Sequence, residues 1–169
     1  MALLGNRPRR RLEAALYVLV AALLALVLLD RLQRYAELAE RAAMETTLAN
    51  LQTALQVKFM LAAARSGPKA VAEAWRGGNP VTLVGSEPPN YLGERNDPDL
   101  HSVPGGSWLF DSGRKELVYV PRSARFLHLW PIGNQVPVLR FTLRVEGAPP
   151  SSGWVVHLAP VGPYTWGSR

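Results

Sequence analysis

Between Ala14 and Leu29 the chain carries no polar side chain except the Tyr17 hydroxyl, and no other feature limits its fold so tightly. Wound as a helix, this run extends roughly 24 Å at about 1.5 Å per residue. Leu12 and Leu32 lengthen it, and flanking arginines can snorkel, so it suffices for one crossing of a bilayer core of about 30 Å. Mean hydropathy near zero hides this, because a very apolar beginning is averaged with a more polar remainder.

A cleaved secretory signal also begins with basic residues and an apolar run, but it needs small residues at a cleavage site just beyond. Here the run is followed by DRLQRYAELAERAAMETTLANLQ, charged and helical in pattern. The expectation is an uncleaved anchor. Four arginines, Arg7, Arg9, Arg10 and Arg11, precede the span, against a mixed Asp30, Arg31, Arg34 and Glu37 after it. The positive-inside rule then makes Arg9, Arg10 and Arg11 orientation residues, with a cytoplasmic amino terminus and the remainder outside the membrane, which is the periplasmic side of the inner membrane if the source is a Gram-negative bacterium. The expected divisions are a basic tail over 1–11, a transmembrane helix over 12–31, an amphipathic continuation over 32–66 and a globular head over 67–169.

The helical pattern continues beyond the span. Leu32, Tyr35, Leu38, Ala42, Met44, Leu48, Leu51, Leu55, Phe59 and Ala62 recur at steps of mostly three or four, with Arg34, Glu37, Arg41, Glu45, Gln52 and Lys58 between them. No proline or glycine interrupts Leu12 to Arg65, so one helix is expected, ending at Ser66-Gly67-Pro68. KAVAEAW predicts a second, short helix with Val71 and Trp75 turned inward. From Gly77 onward, short β-rich runs between glycine, proline and asparagine predict strands.

RFTLRVE alternates Phe141, Leu143 and Val145 with polar residues, the period of a strand with one buried face. SWLFDSGRKELVYVP predicts a hairpin turning at Asp111-Ser112-Gly113, with Gly113 supplying a positive φ. GWVVHLAPV and FLHLW predict further strands, and EPPNYLGERNDPDLHSVPGG a long loop. The expected fold is α+β: a long amino-terminal helix packed on an antiparallel sheet of about four strands. Leu48, Leu51, Leu55 and Phe59 would meet Trp108, Phe141, Leu143 and Trp154 in the core of the head.

Little here points to catalysis or a cofactor. His101, His128 and His157 are far apart, and no HExxH, GxSxG, phosphate-binding glycine loop or cysteine pair occurs. The expectation is a non-enzyme without cofactors. Asp97 and Asp99 are calcium candidates, but Pro98 and the shortage of carboxylates at fixed steps argue for a solvated acidic loop. Of the formal charge of +6, the residues before the span supply about half, so the remainder is too mildly basic to indicate a nucleic-acid partner.

Glu13 stands between the arginine cluster and the apolar run. At an interface a carboxylate costs little, and Arg9 and Arg10 lie four and three residues earlier, so local neutralisation is one explanation. The other is that the carboxylate awaits a positive group on a neighbouring subunit and sets its register.

With its basic leader, this glutamate at the start of an apolar helix, the continuation of that helix past the membrane, and the tryptophan-bearing hairpin SWLFDSGRKELVYV, the chain resembles the type IV pilin and pseudopilin superfamily. The resemblance implies a subunit of a type IV pilus or type II secretion machine, with Glu13 in subunit assembly and other pilin-like or assembly subunits as partners. Pro8 and Arg9 stand where the family has the glycine and the apolar residue around its peptidase cut, and no proline bends the span. The resemblance is therefore to a membrane-resident, uncleaved accessory subunit. Ala14, Ala21, Ala22 and Ala25 would allow close helix approach in the bilayer. A different expectation is a single-span sensor or scaffold whose head binds a ligand or peptidoglycan through a sheet loop or GERNDPDLH; an exported enzyme is a third.

Overall fold

The computed structural model describes residues 7–130, 136–148 and 152–167, with the side chains of 7–11, 148 and 152 outside the description. The orientation residues Arg9, Arg10 and Arg11 therefore enter only through their backbone, which is helical. Two compact units are distinguished, Met1–Ala39 and Glu40–Arg169.

Helix α1 runs over Arg7–Ser66, a sequence rich in alanine, leucine and glutamate and interrupted by Pro8 only, in the first turn where a missing amide costs nothing. It stops where expected. Gly67 takes a φ of 81° and its amide bonds the Ala63 carbonyl at 2.9 Å, while Pro68 opens helix α2, Pro68–Trp75. In the first unit the side chains from Leu12 to Leu29 are all exposed, Leu12 by 71% and Leu24 by 65%. This helix is the one, among the described residues, long and apolar enough to cross a membrane.

The second unit is α+β. Helix α3, Pro80–Val84, precedes seven strands: β1 Tyr91–Arg95, β2 Ser107–Asp111, β3 Glu116–Val120, β4 Leu127–Leu129, β5 Leu139–Ala148, β6 Ser152–Pro160 and β7 Tyr164–Trp166. Five form a sheet in the order β1-β2-β3-β5-β6, and β4 pairs with β7 in a second, two-stranded sheet. The expectation of about four antiparallel strands needs correction on two points. The main sheet has five strands, and β1 runs parallel to β2.

One face of the large sheet packs on the later half of α1. Met44, Leu51, Leu55 and Phe59 are buried against Trp108, Phe110, Leu117, Tyr119, Phe141, Leu143, Val156 and Leu158, with Leu48 and Trp154 partly buried beside them. The rings of Phe59 and Trp154 lie 6.2 Å apart, and Trp108 stacks at 4.7 Å on Tyr119. The opposite face has a smaller core of Val103, Leu109, Val118, Val120 and Val138, over which Leu92 and Leu100 pack. This second core explains why β2 is buried at all five positions instead of alternating.

The segment expected as a long loop is thus a cover for the second face. It holds β1 and a 3₁₀ turn, Leu100–Ser102. Helix α3 was hidden in the same way: Asn79 caps it by accepting the Val81 amide at 3.0 Å, and Gly85 closes it at a φ of 72°. The β2–β3 turn also differs from expectation, since Lys115, not Gly113, adopts the positive φ, 59°. The buried Asp111 carboxylate organises this turn, its Oδ1 accepting the amides of Gly113, Arg114 and Asp97.

Candidate assembly surface

Glu13 is exposed on α1, among the exposed apolar residues of the span. A contiguous apolar surface of this size marks contact with lipid or with other protein. In a helix that crosses a bilayer, a carboxylate at this edge would have water or headgroups on one side and hydrocarbon on the other, where a cationic partner raises its worth sharply.

Within the head, α1 has a second face. Ala42, Thr46, Ala49, Thr53, Val57, Met60 and Ala64 follow one another at steps of three and four, and every one of them is exposed. None is charged. The Thr46 and Thr53 hydroxyls donate to the carbonyls of Ala42 and Ala49 at 2.8 and 2.9 Å, so their donor protons are used within the helix. The surface left for a partner is narrow, small and apolar, the type that lets a second helix approach closely. Sequence periodicity pointed to the inward stripe and overlooked this one, because its threonines and alanines score as neutral; the signal was their unbroken spacing.

The core residues named from the sequence lie together: Leu51, Leu55, Phe59, Trp108, Phe141 and Leu143 are buried in one cluster, and Trp154 is half-buried at its margin. Trp166 is in the same cluster at 4% exposure. The Asp99 carboxylate accepts the His101 amide at 3.1 Å to start the 3₁₀ turn, and Asp97, at a φ of 47°, donates its amide to Asp111. Among the described residues no group of three or more His, Cys, Asp or Glu side chains is placed to hold a metal ion.

His101 and His128 are exposed and His157 is partly buried on β6. His128 lines a surface hollow of about 480 Å³ with Arg41, Glu45, Tyr164 and Thr165. Arg41 is held there by Glu45 Oε1 at 2.7 Å and by the Trp166 carbonyl. Burial, and then the Glu45 charge, pushes the Tyr164 hydroxyl above its ordinary range, against the opposing charge of Arg41. The hollow offers the hydroxyls of Tyr164 and Thr165 and the His128 imidazole.

No protein-family model, curated protein or solved structure matches this chain.

Proposed function

We propose that this chain is a membrane-anchored, pilin-like accessory subunit of a type IV pilus or type II secretion machine, assembling by lateral packing of its long helix. The observation that carries this reading is the uncharged seam of Ala42, Thr46, Ala49, Thr53, Val57, Met60 and Ala64, exposed on a helix whose other face is already filled by the head. A soluble head has no need of two apolar helix faces, whereas a subunit that packs side by side with others does. Glu13 then serves as the register residue at the base of the helix, pairing with a cation on a neighbour. The charge balance around the span orients the amino terminus to the cytoplasm and the head to the periplasm.

The test is site-specific crosslinking in native membranes. Photoreactive residues at Thr53 and Val57 are expected to capture pilus or secretion subunits, and the same probe at Lys115, on the β2–β3 turn, is not. Equal capture at all three positions, or none at the seam, contradicts the reading. Intact mass from the same membranes separates the resident anchor, at full length, from a processed subunit lacking its first eight residues.

The second reading is a single-span sensor or scaffold with a ligand-binding head. It is favoured by the hollow around His128 and Tyr164. A head that stays monodisperse and retains a small ligand, lost on Tyr164→Ala, would favour it over assembly.

A further inference from the structure

We propose that Gln56 keeps the head from pairing with a second copy of this chain. It occupies, on the open edge of β6, the backbone groups through which two β6 strands would join antiparallel about Val155.

The five-stranded sheet has two edges, β1 and β6. Edge strands present unpaired amides and carbonyls that recruit other strands, and proteins guard them with charge, bulges or short length. The β1 edge has all three: it is five residues long, its register shifts between Tyr91 and Glu94, and it ends on exposed Glu94 and Arg95. The β6 edge has none over most of its length. SGWVVHLAP spans nine residues without a carboxylate, lysine or arginine, and its one proline is the last residue.

Its guard comes from the helix. Gln56 Nε2 donates to the Trp154 carbonyl at 3.3 Å, and Gln56 Oε1 accepts the Val156 amide at 3.0 Å. These groups face away from β5. The Val161 amide bonds the Arg140 carbonyl of β5, and residues alternate along a strand, so the odd-numbered residues of β6 turn toward β5 and Trp154 and Val156 turn outward. One side-chain amide thus satisfies an acceptor and a donor two residues apart, as a neighbouring strand would.

The strand that would take the place of Gln56 is β6 itself. In an antiparallel pair centred on Val155, Trp154 of each copy lies opposite Val156 of the other, and each Trp154 carbonyl receives a Val156 amide. The bonds formed are those that Gln56 now makes. Val155 is 52% exposed and uncharged, so it does not itself repel its symmetry mate, and the exposed Glu146 beside it lies one strand further from the pairing axis. The helix uses the same device on the smaller sheet, where the Arg41 guanidinium donates to the carbonyl of Trp166 on the side of β7 away from β4.

The chain has no cysteine, so a single Val155→Cys thiol reports this pairing directly. Facing Val155 residues in such a pair would have Cα atoms about 4.5 Å apart, within disulfide range. The full-length chain in detergent micelles is oxidised mildly, and linked dimers are measured with Gln56 intact and with Gln56→Ala. The expected result is roughly tenfold more dimer in the Gln56→Ala background, from the loss of two masking hydrogen bonds. Ser86→Cys, exposed in the segment after α3 and outside β6, is the control: association through the membrane helix or by collision moves its yield as well, edge pairing does not. If Gln56→Ala does not fold, Gln56→Asn, one methylene too short to hold both groups, takes its place. Equal Val155→Cys yields with and without Gln56 overturn the proposal, as does a rise shared by Ser86→Cys.

Discussion

The Tyr119 hydroxyl donates to Glu40 Oε1 at 2.8 Å, and the same oxygen accepts the Arg122 amide at 2.7 Å. One carboxylate on the first turn of the head's helix thereby fixes the end of β3 and the chain that leaves it. Tyr119→Phe removes the hydroxyl while keeping the ring against Trp108. It is expected to cost about 1–3 kcal/mol of head stability, the range for a hydrogen bond to a charged group, read as a shifted urea midpoint at unchanged slope.

The same pair predicts a pH dependence. Burial, followed by the Glu40 hydrogen bond and charge, raises the Tyr119 pKa well above its ordinary value near 10. The folded head therefore holds this proton more tightly than the unfolded chain does. Stability from this source is fully present below about pH 10 and is lost as pH rises from there toward the folded value. Tyr91 and Tyr164 shift in the same direction. Alkaline denaturation of Tyr119→Phe should be less steep than that of the unsubstituted chain, and an identical slope would show that Tyr119 does not contribute.

Asp111 is a test of the hairpin. Its Oδ1 accepts three amides, two from the turn and one from Asp97, two residues beyond β1. Asp111→Ala should cost about 2–3 kcal/mol and raise hydrogen exchange at Gly113, Arg114 and Asp97 together. Exchange raised in the turn alone would mean that β1 is held independently.

Gly147 pairs with Trp154 across β5 and β6, and a Cβ at that position would come within 2.8 Å of the indole ring. Trp154 also packs on Phe59, so the ring has little room to retreat. Gly147→Val is expected to destabilise the head by about 1–3 kcal/mol through overpacking, and to change the near-UV circular dichroism of the tryptophans.

Glu13→Ala should leave insertion and head stability unchanged and reduce association with membrane partners, measured as crosslinking yield in native membranes. An unchanged yield would make Glu13 a plain interfacial residue, neutralised locally.

Much of the head was legible in the sequence, for reasons that particular residues make plain. Phe141, Leu143 and Val145 alternate because β5 has one face on the helix, and that period survives in the letters. Leu51, Leu55 and Phe59 recur at helical steps for the same reason. β1 and α3 were missed because neither YLGER nor PVTLV alternates apolar with polar residues or repeats through successive helical turns, and their determinants are local caps and a bond pattern set by distant strands. The turn was misassigned at Gly113 because glycine is the usual donor of positive φ, whereas Asp111 stabilises the turn strongly enough for Lys115 to take it. Gln56 gave no signal at all. Its role depends on an edge strand 98 residues away in sequence.

One wall of the head's main core, Met44, Leu51, Leu55 and Phe59, belongs to the same helix as the apolar run over 14–29. A protease acting at the Gly67–Pro68 junction would strip that wall away and expose the aromatic floor beneath it. In the membrane-anchored subunit proposed above, an intact head is shed only by cleavage ahead of Glu40, so the residues just before Glu40 decide whether the folded head can ever leave the bilayer.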